Sequence, residues 1–270
     1  GGEYVYLREA YHPLIGFLSG WVSLFAGFSA PIAVAALAFG QYSAAVFPGL
    51  DDPWAQKGLA VALVAGMTAL HGFDTVIGGR VQTVLSAGKA LLITVFILAG
   101  VLVGTGDWTN VQPYEGASPF TKDFAIALMY VSFAYSGWNA AAYIAGDLRD
   151  PARTIPRALL AGTGLVMVLY VLLNLVFLYA LPVETLASGP IVEVGDAAAR
   201  SMFGNTAGTL MSSLISIGLM SAVSAMVMAG PRVYAAMADD RALPAVLARR
   251  SSRGVPWVSV LLQGVLATII

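Results

Sequence analysis

A polar, glycine-containing stretch interrupts one of the most apolar parts of the chain. In SFAYSGWNAAAY, residues 132–143, the residues Ser136, Gly137 and Asn139 lie near the middle of an apolar segment. Gly137 lies fourteen residues after one charged residue and ten before the next, or ~21 Å and ~15 Å along a helix. Irregular backbone is tolerated at that membrane depth only where protein or a watery cavity satisfies it. The spacing therefore leaves two interpretations open: a ligand cavity, or a close helix contact in which Asn139 bonds to a neighbouring helix.

Lys89 is the second residue that could do chemistry. It lies nine residues after Arg80, ~13 Å into its apolar segment by helical rise, where a lysine is energetically expensive. One explanation is snorkelling, in which the aliphatic stem carries the ammonium toward the interface. The other is function, because a lysine in an apolar bundle can gain and lose a proton near neutral pH. Proton coupling requires that property.

Two serines form a third polar place in the apolar stretch LMSAVSAM. Ser221 lies eleven residues before Arg232, ~16 Å from the membrane edge, and Ser224 shares its helix face. Serine is also common at helix–helix contacts and bonds back to its own helix, so packing explains the pair as well. All three polar places nevertheless fall ~13–16 Å from the same edge, as expected of a midplane binding site.

The remaining candidates for chemistry are weaker. His71 and Asp74 lie three residues apart and could form a proton relay, but they lie near the cytoplasmic end of their segment, which favours hydrogen bonding at the membrane interface. Neither His71 nor His12 has the partners that a metal site needs, so no metal or cofactor is predicted. The 270 residues include no Cys and carry a net charge of −1. Thiolate sites are therefore excluded from this chain, and no nucleic-acid partner is expected.

Long apolar segments carry these residues. Hydrophobic residues make up 58% of the chain and charged residues only 11%, against about a quarter charged in soluble domains. The pattern predicts an all-α, polytopic membrane helix bundle. Pro31 lies inside the first segment and predicts a tilt or kink there. The seven predicted segments are roughly 16–47, 57–78, 80–104, 120–145, 156–181, 205–230 and 256–270.

The charge distribution predicts the orientation. Alternate connections collect ten arginines, whereas the other connections carry three basic and eight acidic residues. By the positive-inside rule, the Arg-rich side is cytoplasmic and the protein lies in a cell (plasma or inner) membrane. The predicted cytoplasmic parts are residues 1–13 and the loops near 79, 146–157 and 231–255. The Gly-Gly start and the apolar end suggest a fragment of a longer membrane protein.

Three separated motifs resemble amino acid permeases of the amino acid–polyamine–organocation superfamily. They are GGEYVYLREAYHPLIGFLSGW at 1–21, FAYSGWNAAAYIAGDLRDPARTIPRAL at 133–159 and RVYAAMADDRALP at 232–244. The resemblance implies a partial LeuT-like fold of five-plus-five inverted repeats. It implies helices three to five of the first repeat in residues 1–104, an external loop in 105–119, and helices six to eight with the start of nine in 120–270. Helices one and two and the C-terminal helices would be missing.

The same resemblance implies roles for the three polar places. The opening stretch would be the break in helix six, whose carbonyls bind the substrate amino group and whose aromatic side chains shape or gate the pocket. Lys89 matches a lysine that replaces a sodium ion in proton-coupled relatives, with Ser221 as its hydroxyl partner. The implied substrate-binding set is Phe133, Ala134, Tyr135, Ser136, Gly137, Trp138 and Asn139. The implied proton-coupling set is Lys89, Ser221 and Ser224.

The leading hypothesis is therefore secondary active transport of amino acids or related amines, by proton symport or by exchange (antiport). The expected partners are an amino acid, protons and the lipid bilayer. No disulfide-linked heavy chain is expected, because the branch that has one uses a Cys. One alternative is a sensor or structural membrane protein of the same fold. The other is an intramembrane enzyme using Ser and His71, which is disfavoured because neither His lies near a nucleophile-like motif.

Overall fold

A computed structural model describes residues 1–47, 49–112, 120–188 and 194–270, and the regular elements in those ranges are all helical. Short 3₁₀ turns lie at Trp108–Val111, Ala145–Asp147 and Ala245–Ala248. The longer elements are α1 (Gly2–Ala10), α2 (Pro13–Ala44), α3 (Pro53–Phe73), α4 (Thr75–Val103), α5 (Lys122–Ala134), α6 (Ala140–Tyr143), α7 (Pro151–Ala180), α8 (Val183–Ser188), α9 (Val194–Phe203), α10 (Asn205–Asp239) and α11 (Trp257–Ile269). The predicted all-α class is confirmed.

Four helices of the described ranges, α2, α4, α7 and α10, are long and apolar enough to cross a membrane. A hydrocarbon core ~30 Å thick needs ~20 helical residues, which each of these four exceeds. The last helix, α11, is apolar but shorter. The chain is therefore part of a multi-pass membrane helix bundle.

The connection between α3 and α4 lies five residues earlier than predicted. Helix α3 ends at Phe73, because Asp74 adopts extended backbone angles (φ −154°, ψ 127°). Asp74 then caps the N-terminus of α4. Its carboxylate accepts hydrogen bonds from the backbone N–H groups of Val76 and Ile77 at 2.7 and 3.2 Å. These bonds, together with the Arg253 guanidinium 3.2 Å away, hold the pKa of the Asp74 carboxyl below its usual range.

A wider turn precedes the internal proline of α2. Residues Ser23–Ser29 form a π-helical segment, and Pro31 follows it. Proline has no N–H to donate and crowds the carbonyl four residues earlier, so a wider turn relieves the clash. The Ser29 hydroxyl donates to the Leu24 carbonyl at 2.6 Å within this segment. The distortion expected at Pro31 thus takes the form of a π segment on its N-terminal side.

The main core lies between α2, α3, α10 and α11. Small residues bring these helices close: a Cβ on Gly264 of α11 would lie 2.8 Å from the Cγ2 of Thr68 on α3. The backbone of Gly230 is helical, so α10 continues to Asp239, beyond the predicted end at 230. The buried residues of this core include Ile32, Ala36, Leu63, Val64, Met67, Val223, Val227, Val260 and Ala267.

Charged residues connect several elements at one end of the bundle. Arg8 of α1 forms an ion pair with Asp240, and the Tyr4 hydroxyl donates to the same carboxylate at 3.0 Å. Arg250 lies 2.5 Å from Asp239 at the end of α10. We call this end, defined by these five residues, the basic end. The contacts fix α1 against the last turn of α10.

The segment after α4 folds over the opposite end. The Thr105 hydroxyl donates to the Met202 carbonyl at 3.0 Å, and the Asp107 N–H donates to the Tyr179 carbonyl at 2.9 Å. These bonds tie the first part of the predicted external loop, 105–119, to α7 and α9. Residues 113–119 of that loop lie outside the described residues.

We expect Gly264→Ala to lower the thermal unfolding temperature of the purified protein. The added methyl group would collide with Thr68, and overpacking of this kind costs about 1–3 kcal/mol. Gly66→Ala on α3 is the matched control, because its Cβ would meet no atom within 4 Å. Unfolding in detergent, followed by circular dichroism, measures both variants. Equal melting temperatures for the two would contradict the close contact.

Candidate functional site

The helix that carries the polar stretch is interrupted, as predicted for Phe133–Asn139. The first part, α5, ends at Ala134, and the helix resumes as α6 at Ala140. Gly137 has φ +86°, a conformation that residues with a side chain rarely adopt. A Cβ there would meet no atom within 4 Å. The backbone conformation, rather than lack of space, therefore favours glycine.

Turn hydrogen bonds replace the helical pattern within the break. The Ser136 N–H donates to the Phe133 carbonyl, and the Ala140 N–H donates to the Gly137 carbonyl, both at 3.0 Å. The last carbonyls of a helix have no partner in their own helix. At the end of α5, the break thus presents carbonyl oxygens that a ligand with N–H donors can reach.

Tyr170 of α7 contacts the break, although the sequence analysis missed it. Its hydroxyl donates to the Ala134 carbonyl at 3.2 Å. Its ring meets that of Tyr135 edge-on, with the ring centroids 4.9 Å apart. Tyr170 lies near the middle of its predicted segment, 156–181. Lys89 is singled out as a polar side chain deep in an apolar segment, and the same test could have found Tyr170.

The aromatic side chains of the break are unevenly buried. Phe133 is 72% exposed and Trp138 is 64% exposed, whereas Tyr135 and Asn139 are half-buried. No residue of α5 is buried. The break therefore forms one open face of the described bundle, with its polar backbone accessible beside Phe133 and Trp138.

Asn139 is held by residues outside the predicted set. Its amide donates to the Tyr143 hydroxyl at 3.1 Å and to the Glu3 carboxylate at 3.4 Å. The Tyr143 hydroxyl donates to the same Glu3 oxygen, and the other oxygen accepts from the Ser23 hydroxyl at 2.7 Å. Glu3 lies near a charged chain end where acidic residues are ordinary, so no sequence signal singled it out.

Lys89 lies beside a mostly apolar cavity of about 410 Å³. Its stem packs against α10, where a Cβ on Gly218 would lie 3.4 Å from the lysine Cδ. The lysine is half-buried and, within the described part of the chain, makes no hydrogen bond or ion pair. The other cavity residues include Leu92, Phe96, Leu173, Phe177, Met211 and Ile215.

The two predicted serine partners face other residues in this structure. The Ser221 hydroxyl lies 3.5 Å from that of Ser86, one turn before Lys89 on α4. The Ser224 hydroxyl lies 2.8 Å from Nε2 of His71, which is 4% exposed. The predicted proton-coupling set is therefore not one hydrogen-bonded group here.

The structure contradicts a direct proton relay between His71 and Asp74. The backbone leaves the helix at Asp74, so the two side chains do not share a helix face. His71 bonds to Ser224 inside the bundle, whereas Asp74 caps α4 and pairs with Arg253 at the surface. Within the described ranges, no three His, Cys, Asp or Glu side chains come together in a way that could hold a metal ion.

Comparisons with known proteins agree with this architecture. The family described as Amino acid permease matches residues 1–270. The serine/threonine exchanger SteT of Bacillus subtilis (strain 168) is 30% identical, with 100% of this chain and 61% of that protein covered. The b(0,+)-type amino acid transporter 1 of Oryctolagus cuniculus is 30% identical, with 100% and 56% covered.

A further relative is the large neutral amino acids transporter small subunit 2 of Oryctolagus cuniculus. It is 28% identical, with 100% of this chain and 51% of that protein covered. The chain thus spans between half and about three-fifths of the length of these relatives. The matched family is described as a permease and these relatives are named as an exchanger or as transporters, so the comparisons do not support the intramembrane-enzyme alternative.

We expect Ser224→Ala to destabilise the protein by about 1–3 kcal/mol, because it leaves a buried nitrogen of His71 without its partner. Ser216→Ala on the same helix is the matched control, since that buried hydroxyl only donates to the Ser212 carbonyl of its own helix. Thermal unfolding in detergent compares the two variants. A Ser216 variant that is as unstable as the Ser224 variant would show that the contact with His71 contributes nothing specific.

Proposed function

Since this chain belongs to the amino acid permease family of the amino acid–polyamine–organocation superfamily, we propose that it carries the central helices of a secondary transporter of amino acids or related amines. The observation that carries the proposal is the break between Ala134 and Ala140, with Gly137 at φ +86°. A membrane helix that unwinds at mid-depth offers backbone groups to a ligand.

The substrate ammonium would bind at the end of α5. The proposed acceptors are the carbonyls of Phe133, Ala134 and Ser136, since an ammonium group has three donors to satisfy. The negative end of the α5 dipole adds an electrostatic attraction for the cation. Two of these carbonyls already accept a hydrogen bond, Ala134 from the Tyr170 hydroxyl and Phe133 from the Ser136 N–H. Each carbonyl oxygen has a second lone pair for the ligand. Tyr135, Trp138 and Asn139 complete the proposed site around Gly137.

Lys89 is the proposed proton-coupling residue. Its ammonium has no partner in the described part of the chain, and its stem packs against Gly218 of α10. A charge there can bind carbonyls of a neighbouring segment when protonated and release them when neutral. Ser221 and Ser224, on the same helix as Gly218, are the proposed hydroxyl partners. Exchange is the second candidate mode, favoured by the similarity to a protein named as a serine/threonine exchanger.

The proposed arrangement extends to the membrane and to partners. Residues 1–104 would be helices three to five, 105–119 an external loop, and 120–270 helices six to eight with the start of nine. The basic end would face the cytoplasm of a cell membrane, consistent with the positive-inside rule. One relative is named as a small subunit. The 270 residues here contain no Cys, so we propose no disulfide-linked heavy chain.

We expect Lys89→Ala in the full-length transporter to abolish uptake driven by a pH gradient, because the variant cannot carry the coupling proton. Uptake of labelled amino acids into proteoliposomes, with and without the gradient, measures the effect. Lys57→Ala is the matched control, since Lys57 is exposed beside Trp54 at the other end of the bundle.

The same experiment separates the proposed modes. Loss of gradient-driven uptake with retained exchange of internal for external substrate supports coupling through Lys89. Unchanged gradient-driven uptake by the Lys89 variant would remove Lys89 from the mechanism. Absence of uptake and exchange by the unmodified protein, across a panel of amino acids, would favour the sensor or structural alternative.

We expect Gly137→Ala to weaken substrate binding about 5- to 30-fold, because a positive φ costs a residue with a side chain about 1–2 kcal/mol. Gly162→Ala on α7 is the control, as its Cβ would also meet no atom within 4 Å but its backbone is helical. Equilibrium binding of the labelled substrate to purified protein provides the measurement. Equal affinities of the two variants would show that the open conformation of the break is not the one that binds.

A further inference from the structure

Glu3 brings three separate elements together through one carboxylate. It lies in the first turn of α1 and is half-buried. One oxygen accepts from Ser23 in the π segment of α2 at 2.7 Å. The other accepts from Asn139, the last residue of the break, and from Tyr143 at the end of α6. Glu3 thus forms hydrogen bonds from α1 to both irregular helix segments.

The fit around Tyr143 depends on the neighbouring glycine. Gly2 has φ +55°, and a Cβ there would collide with the Tyr143 ring. Phe28 packs edge-on against the same ring, with centroids 5.3 Å apart, and Tyr143 is 7% exposed. The ring is therefore enclosed, and its hydroxyl is directed at Glu3. This enclosure makes the hydrogen bond a defined contact of α6 rather than a surface encounter.

Glu3 forms no ion pair with a described side chain. The neighbouring Arg8 pairs instead with Glu9 and Asp240. The carboxylate is satisfied by hydrogen bonds from Ser23, Asn139 and Tyr143, and bonds to a charged acceptor are about twice as strong as neutral ones. Two of those three donors belong to the break and α6. Movement of α6 away from α1 would remove both and leave a half-buried charge under-satisfied, which is costly.

From this geometry we propose that Glu3 is a positioning residue that holds α6 docked on α1, and that its bonds to Asn139 and Tyr143 break when the substrate-facing segment rearranges. The rearrangement of the segment rests on the proposed transport function, whereas the docking of α6 on α1 is a property of the described residues. The ion pair between Arg8 and Asp240 anchors α1 at the basic end.

The test uses a single cysteine as a reporter of docking in the full-length transporter. Ala140, at the start of α6, is half-buried against the cluster that contains Tyr143 and Phe28. Ala140→Cys should react slowly with a maleimide while α6 is docked and faster when it is not. The 270 residues contain no other Cys, and any cysteine elsewhere in the protein is replaced beforehand.

We expect Glu3→Gln and Tyr143→Phe each to raise the labelling rate of the Ala140→Cys reporter at least about tenfold. Combined, they should have no larger effect than Glu3→Gln alone, because the hydrogen bond that Tyr143→Phe removes is one of those that Glu3→Gln weakens. Glu9→Gln is the matched control, an exposed carboxylate on the same helix that pairs with Arg8. Its labelling rate should equal that of the unmodified background.

Two results would overturn the proposal: labelling by the Glu3 variant at the rate of the Glu9 variant, or additive effects of Glu3→Gln and Tyr143→Phe. General loss of structure would instead lower the melting temperatures of the Glu3→Gln and Tyr143→Phe variants, and their effects on the labelling rate would then be additive. If Glu3→Gln does not fold, Tyr143→Phe alone still has to raise the rate. Uptake by the unmodified protein tests the transport function separately, because labelling reports docking whether or not an amino acid is carried.

Discussion

The organisation of this bundle depends on one constraint: hydrocarbon cannot hydrogen-bond, so each backbone irregularity in a membrane helix needs a partner inside the protein. The π segment of α2 meets it through Ser29, whose hydroxyl donates to the Leu24 carbonyl. The break after α5 meets it through Tyr170, which donates to the Ala134 carbonyl. Each departure from regular helix is therefore accompanied by a polar side chain that bonds to the backbone there, and Tyr170 is the one that contacts the candidate site.

The same constraint distinguishes polar residues that have a hydrogen-bond partner inside the bundle from polar residues whose presence packing does not explain. His71 and Ser224 are buried and bonded to each other, as expected of groups that stabilise the contact between α3 and α10. Lys89 is half-buried without a partner in the described ranges, beside a mostly apolar cavity. A cation left unsatisfied in such surroundings costs free energy. The cost makes Lys89 the residue on α4 whose presence packing does not explain.

Helix α1 contacts both the basic end of the bundle and the break after α5. At the basic end, one ion pair from Arg8 and one hydrogen bond from Tyr4, both to Asp240, hold α1 against the end of α10. The first turn of the same helix contacts the break through Glu3. In contrast, α5 has no buried residue, and few contacts resist its movement. Helix α1 thus joins the ion-paired end of the bundle to the break between α5 and α6 through Glu3 and Asn139.

The sequence by itself determined the all-α class, the family, the position of the break and, among its seven predicted segments, the four described helices that are long and apolar enough to cross a membrane. These features depend on composition, on the residues of short motifs and on distance along one helix, which can all be read from neighbouring residues of the chain. Tertiary structure decided which polar residues are partners. Asp74 caps α4 instead of facing His71, and Ser221 faces Ser86. Glu3 and Tyr170 join the break from distant parts of the chain. Partner choice depends on how each helix is rotated about its axis and packed on its neighbours, which residue spacing along the chain does not specify.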